Sequence, residues 1–258
     1  MIDSHCHLDF DVYEGQRDDV VSAALEAGVQ TIINIGVDVP SSVRSVELAE
    51  QYECLYATVG VHPHDARTLN NAALEKLRAM VTHPRVVAIG EIGLDYYRDL
   101  SPRHVQKTAF EQQIELAIEA ALPIVIHTRE SFQPTLDIVK KYAGRLKGGV
   151  FHCFPGDLND ARRVIDLGFV ISVGGVITFP NSKMSRVAAQ APLEKILLET
   201  DAPFLTPVPY RGKQNQPAYV SYVRDRLAEL RKTRPQEIEK ITDRACNKLF
   251  RLEETFEG

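Results

Sequence analysis

An α/β fold of the (β/α)8 barrel type, formed as a single domain over residues 1–258, is what this sequence predicts. Three observations lead there. Short β-branched apolar runs alternate with helix-length amphipathic segments along the whole chain. At 258 residues there is room for one strand-helix unit per about 32 residues, and such barrels typically take about 250. The runs also tend to end in a histidine, a carboxylate or a glycine, at the strand end where barrel enzymes place their chemistry.

The first run, Met1–Ser4, leads straight into His5-Cys6-His7. A doubly wound open sheet would usually carry a glycine-rich dinucleotide turn there, so that rival is set aside. Residues 18–27 read as a helix with Val20, Val21, Ala24 and Leu25 on one face, stopped by Gly28. The next strands are Thr31–Ile35, Leu55–Val61 and Val86–Ile92. They end at Gly36, at His62 with His64, and at Glu91. Ser101 and Pro102 open a long helix, serine as cap and proline in the first turn. Phe110, Ile114, Ala117, Ile118 and Ala121 form its buried stripe. Pro123–Ile126 ends at His127, Leu136 and Val139 mark a helix, and Gly149–Phe151 ends at His152. A helix carried by Ala161, Val164, Ile165 and Leu167 stops at Gly168. Phe169–Val173 then ends at Gly174, and Ile196–Leu198 leads to Asp201. Residues 218–252 read as two helices, with Thr233-Arg234-Pro235-Gln236 as a capping box between them.

With 44% hydrophobic and 25% charged residues the chain can bury a full core, which excludes disorder, collagen and coiled coil as its main class. No apolar run approaches the ~18–20 residues of a membrane span, and no secretory signal opens the sequence. Four cysteines without a Cys-x-x-Cys pair point to a reducing cytoplasm. A net charge of -5 argues against a protein that coats nucleic acid but leaves room for a local basic site. Residues 211–251 hold 11 Lys/Arg against 5 Asp/Glu. That is either a basic wall for an anionic substrate or an exposed helix face of alternating charge.

His5, His7, His62, His127 and His152, five of the eight histidines, are expected on one rim with Glu91 and Asp201. Neutral imidazoles with carboxylates make a divalent-metal site suited to Zn, Mn or, with more water, Mg. Alternate strand residues face the same way, so His5 and His7 can meet one ion while Cys6 points opposite. Glu91 has two oxygens and can bridge two cations, and glycines around it let backbone crowd the site. Asp201 can bind an ion and take a proton from water. Glu199, on the same strand parity, is expected to support rather than ligate. Cys6 and Cys153 are taken as buried small apolar side chains, and His83 and His104 as surface residues. A Ser-His-Asp triad lacks its Gly-x-Ser-x-Gly elbow.

Ser4-His5-Cys6-His7-Leu8, Gly60-Val61-His62-Pro63-His64, the run from Gly90-Glu91-Ile92-Gly93 to Tyr96, His127-Thr128-Arg129, His152-Cys153-Phe154 and Glu199-Thr200-Asp201-Ala202-Pro203 together resemble the TatD family of metal-dependent deoxyribonucleases, from Met1 to about Leu252. The resemblance implies a two-metal hydrolase barrel related to the amidohydrolases. His5, His7, Glu91 and Asp201 would serve one ion, and Glu91, His127 and His152 the other. The chain departs from the family at Gln216, where the late loop Arg211-Gly212-Lys213-Gln214-Asn215 usually continues with Glu.

The activity so implied is hydrolysis of DNA phosphodiester bonds, from a 3′ end and on single strands, with Glu91 and Asp201 as the catalytic carboxylates. Arg129, Arg211 and Lys213 are expected to hold phosphates. His62, His64 and Tyr96 are expected to touch substrate. The same site could instead cleave an ester such as a D-aminoacyl-tRNA. An amidase or lactonase would more often bridge its metals with a carboxylated lysine, and no lysine ends a strand here. A non-catalytic nucleic-acid-binding protein would leave six donors idle at one rim, which is costly. No membrane partner is expected, and a monomer is compatible with the sequence.

Overall fold

The computed structural model describes residues 1–252. The acidic tail beyond 252 lies outside the described residues. Among these, eight parallel strands pair strictly in chain order: β1 (Ile2–Cys6), β2 (Thr31–Ile35), β3 (Leu55–Val59), β4 (Val86–Asp95), β5 (Ile124–Arg129), β6 (Gly149–Phe151), β7 (Val170–Val173) and β8 (Ile196–Leu198). The expected (β/α)8 barrel is therefore the observed fold. The seam between β8 and β1 closes through a bridge between Cys6 and Ala202 and through Asp201 N to His5 O at 2.9 Å. Asp3 completes it, its carboxylate accepting from Thr200 N at 2.9 Å and Thr200 Oγ1 at 2.6 Å.

The helices are α1 (Arg17–Glu26), α2 (Val39–Gln51), α3 (Asn71–Met80), α4 (Arg103–Ala120), α5 (Phe132–Tyr142), α6 (Leu158–Asp166), α7 (Lys183–Gln190), α8 (Val220–Arg231) and α9 (Pro235–Phe250). Phe110, Ile114 and Ala117 bury the expected face of α4, as Leu136 and Val139 do for α5. Each large apolar side chain fully buried this way contributes about 1.5–3 kcal/mol over leaving it exposed. Leu25 departs from expectation: it is 51% exposed, because α1 turns only Val20, Val21 and Ala24 inward. Gly28 and Gly168 end α1 and α6 at positive φ, +84° and +88°.

A second apolar cluster takes residues from every strand, from Ile2 in β1 to Leu197 in β8, and joins Cys246 and Phe250 of α9. Helix α9 thereby closes one end of the barrel. It is tied there by Asp243, which accepts from Ile2 N at 3.0 Å, and by Glu239 against the N-terminal amine at 3.2 Å. The other end remains for the loops that follow the strands.

Two expected caps form differently. The Ser101 hydroxyl donates to His64 O at 2.7 Å, so α4 starts after Pro102 with no side-chain cap. Thr233 precedes the N-cap Arg234 of α9 and donates to the Glu237 carboxylate at 2.5 Å instead of serving a backbone amide.

Candidate metal centre

His5 near the end of β1 and His7 just past it reach the rim, while Cys6 between them packs into the main apolar cluster. Strand β4 brings Glu91 between them and the histidines of β5 and β6. Its carboxylate divides its two oxygens. Oε2 lies 3.6 Å from His5 Nε2 and 3.9 Å from His7 Nε2. Oε1 lies 2.7 Å from His127 Nδ1, 2.8 Å from His152 Nε2 and 3.6 Å from His62 Nε2. Asp201 Oδ1 stands 3.6 Å from both His5 Nε2 and His7 Nε2. Asp201 follows β8 in a left-handed conformation, φ +55°, which aspartate tolerates better than most residues.

Close approach of β4 and β5 makes this possible. Gly93 has φ +141°, and a Cβ there would lie 2.0 Å from the His127 carbonyl oxygen. Beyond the register shift at Glu91, β4 runs on to Asp95 and pairs Gly93 with His127. The strand runs three residues past the expected end at Ile92, and it delivers Asp95, a residue that the sequence did not single out. Asp95 Oδ2 accepts from His127 Nε2 at 3.1 Å and from His64 Nε2 at 3.0 Å. The only signal for it was the Gly-Leu-Asp run, which looks like a loop rather than a continuing strand.

The electrostatics follow from burial and from the mixture of signs. Burial would raise Glu91, but the charges on His152 and His62 and hydrogen bonds from His127 and His152 hold it well below the usual carboxylate range. Burial likewise opposes ionisation of Asp201, and the imidazole of His7 beside it overcomes that and holds the carboxyl below its ordinary range. Burial lowers His5 to about 4, with help from His152. His152 goes the other way, to about 10: burial is outweighed by the charge and hydrogen bond of Glu91.

Outer groups set the ring orientations. The His7 Nδ1–H donates to Ile35 O at 3.1 Å, because a carbonyl can only accept, and this turns Nε2 toward the carboxylates. Glu199 is fully buried beneath His152. It accepts from Ser172 Oγ at 2.5 Å and Cys153 N at 2.7 Å, the supporting place expected of it. Cys153 itself is only half-buried, since β6 stops at Phe151 and the chain turns with φ +42° at this residue. Burial of its sulfur and the nearby Glu199 charge push that thiol well above its ordinary range, so it is not a reactive thiolate.

His62, expected at the substrate, falls inside the carboxylate-centred group with Glu91 and His127. His64 turns to Asp95. Tyr96 packs half-buried under the Arg103 guanidinium, 4.3 Å from its ring, while its neighbour Tyr97 is 53% exposed. Arg129 lies 3.9 Å over Tyr97, Arg211 4.4 Å over Phe179, and Lys213 5.5 Å from the Tyr210 ring centroid, all three exposed. Other late cations are spent within the fold. Arg224 pairs with Asp225 and Glu239, Arg226 pairs with Glu229, and Arg231 donates to Ala188 and Ala191 carbonyls. For these residues the helix-face reading of the basic segment holds.

The residues fit a metal. His5, His7 and Glu91, His5, His152 and Asp201, and His62, Glu91 and His127 each bring three ligand atoms within 4.8 Å of one another. Both ring nitrogens of His5, and Nδ1 of His152, are buried without a hydrogen-bond partner. A buried polar atom left unpaired costs about 1–3 kcal/mol, a cost that coordination would remove.

Comparison with known proteins points to metal-dependent hydrolases. The family model described as TatD related DNase matches residues 2–251. The "uncharacterized metal-dependent hydrolase YabD" of Bacillus subtilis is 40% identical over 98% of this chain and 99% of its own length. The "3'-5' ssDNA/RNA exonuclease TatD" of Salmonella typhimurium is 33% identical over 98% and 99%. The crystal structure of YJJV, a TatD homologue from Escherichia coli, superposes with a TM-score of 0.92 at 35% identity, covering 98% of both chains. Barrel, rim histidines and whole-length similarity thus converge, and the chain belongs to the TatD family of metal-dependent hydrolases.

Proposed function

We propose that this protein hydrolyses phosphodiester bonds in single-stranded DNA from the 3′ end, using two divalent ions. The observation that carries the reading is the divided carboxylate of Glu91, with one oxygen toward His5 and His7 and the other toward His127 and His152. A carboxylate set between two imidazole groups suits a pair of cations better than a single one. The name of the Salmonella relative supports the substrate class.

When bound, such ions polarise a phosphoryl oxygen and make water more acidic. The chain supplies the rest. Asp201, ionised beside His7, takes the proton of the attacking water as that water's oxygen bonds phosphorus; the bond to the leaving oxygen breaks, and that oxygen takes a proton from solvent. Arg129, Arg211 and Lys213 pair with flanking phosphates from their exposed positions. The late loop needs no charge at Gln216 for its shape. Asn215 Nδ2 donates to Thr200 O at 2.8 Å and Phe204 O at 2.6 Å. All four cysteines are free thiols, which supports a reducing compartment.

Activity on a short single DNA strand, an aminoacyl-tRNA and a small lactone, each with Mg, Mn and Zn, tests the reading. Turnover of DNA should fall as salt rises, because phosphate contacts release counterions. A flat salt response, or preference for the lactone, would overturn it. Asp201→Asn should lower kcat on DNA by roughly 10²–10⁴-fold with little change in KM, since an amide cannot take the proton. Near-normal turnover would reduce Asp201 to a ligand.

A further inference from the structure

The donor set continues outward into a surface of aromatic rings. The ring of His7 stacks on Phe10, with centroids 4.7 Å apart and planes at 23°. Phe10 meets Phe204 edge to face at 6.0 Å, and Phe204 meets His7 at 6.3 Å. Phe204 lies three residues after Asp201 and is 50% exposed. Its backbone is firmly held. Phe204 N donates to Asp201 O at 2.8 Å, and its carbonyl accepts from Asn215 Nδ2 at 2.6 Å. Asn215 is fully buried, and its own carbonyl accepts from Tyr13 Oη at 2.6 Å. A well-held backbone therefore presents a half-exposed ring to solvent at the edge of the candidate centre. Other exposed apolar side chains lie close by in sequence, Val12 two residues after Phe10, and Leu205 and Val208 after Phe204, and Arg211 follows in the same loop.

We propose that Phe10 and Phe204 form a stacking shelf for an unpaired nucleobase adjoining the scissile phosphodiester. This rests on the phosphodiesterase reading above and names the recognition element of its substrate. Every base has a flat apolar face, so such a shelf accepts any of them and confers no sequence preference. The base's polar edge can stay in water while its face covers the phenylalanine. A base within a duplex has both faces stacked and its edge paired, so it must leave the helix before it can reach the shelf. Single-stranded ends are therefore favoured, and no base-reading hydrogen bond is required. The shelf starts at His7, so the base that occupies it belongs to a nucleotide next to the bond that breaks, not to a distant one.

The test uses the full chain with Mn²⁺ and short single strands that carry an abasic residue on one side or the other of the terminal bond. Wild type and Phe204→Ala, Phe204→Leu and Phe204→Tyr are compared. Removing the base at one of the two positions should raise wild-type KM by roughly 5- to 150-fold, the range expected for one base–aromatic stack. Phe204→Ala should show that loss on the intact strand and little further loss on the abasic one. Tyrosine should restore the wild-type value. Leucine, apolar but not flat, should behave like alanine. Equal losses from Phe204→Ala on intact and abasic strands, or a leucine variant as good as wild type, would overturn the shelf. Strand affinity is read in parallel by fluorescence anisotropy with Ca²⁺ in place of Mn²⁺. If wild type cleaves no strand yet binds the intact one more tightly, with that preference lost in Phe204→Ala, the shelf stands and the hydrolysis reading falls. Absence of base dependence in both measurements removes the shelf. Phe204 is half-exposed, so unfolding midpoints of the variants should match wild type.

Discussion

Asp95, a carboxylate outside the expected ligand set, decides how His127 faces Glu91. Its Oδ1 accepts from Tyr97 N at 2.9 Å and Arg98 N at 2.7 Å, leaving Oδ2 for His127 and His64. Burial works against its charge, but hydrogen bonds from His127 and the Arg98 amide hold it well below the ordinary carboxylate range. An ionised Asp95 can only accept, so His127 Nε2 carries a hydrogen and Nδ1 is presented to the centre. Asp95→Asn should weaken metal binding by about 10–100-fold while the unfolding transition stays cooperative, as titration of the metal-free protein would show. Wild-type affinity in that variant would make Asp95 a structural residue only. The same reasoning predicts proton release on metal binding. Without metal, His152 holds its proton up to about pH 10, whereas His5 loses its own above about pH 4. At pH 7 an ion must therefore displace a proton from His152 but not from His5, and metal affinity should rise as pH increases from 7 toward 10. Calorimetric titration in buffers of different ionisation enthalpy counts those protons, and a buffer-independent heat would contradict the prediction.

At the scale of elements, the join of β4 and β5 is the most constrained part of the barrel. Gly93→Ala would force a Cβ to 2.0 Å from a backbone oxygen in a backbone conformation, φ +141°, that L side chains rarely adopt. The expected loss is roughly 3 kcal/mol or more, because neither strand can move without disturbing Glu91 or His127. Gly144→Ala is the control. A Cβ there has nothing within 4 Å, and the change should stay within about 1 kcal/mol. Denaturant midpoints of the two variants compare them directly, and equal stability would mean that the strands separate more easily than this packing allows. Helix starts show the same dependence on context. Asp38 and Asp157 form capping boxes with Ser41 and Asp160, whereas Ser101, the better-looking cap, is drawn to the His64 carbonyl. A hydroxyl bonds whichever acceptor the neighbouring loop brings closest, and that loop is 37 residues away in sequence.

For the molecule as a whole, the centre sits where strands from opposite ends of the chain meet. Metal should therefore stabilise the entire fold. An ion at 100 to 1,000 times its Kd adds about 2.7–4.1 kcal/mol. For a barrel of this size that raises Tm by about 5–16 °C. Chelation followed by thermal scanning with each metal tests this, and an unchanged Tm would show that the centre forms without help from an ion. Among the described residues no helix is long and apolar enough to cross a membrane.

Eight strands, their order and His5, His7, His62, Glu91, His127, His152 and Asp201 at one rim were all legible in the sequence. Period-two and period-3.6 patterns are local, and a parallel barrel always brings equivalent strand ends together. The direction of Cys6 was legible for the same reason. What only the tertiary structure decided was anything that depends on two distant segments at once. His62 was legible on the rim, but its direct place beside Glu91 and His127, rather than toward substrate, depends on β3 and β4 being neighbours at that height. Leu25 faces solvent because the barrel needs only part of the apolar arc of α1. Asp95 matters because β4 does not stop at Glu91, and no local pattern distinguishes a strand that continues past a glycine from a loop that begins there. The backbone of the half-exposed Phe204 is fixed by Asn215, eleven residues later, which holds its carbonyl. Periodicity specifies which face a side chain takes, but its partners are set by hydrogen bonds and packing between segments that the sequence keeps apart.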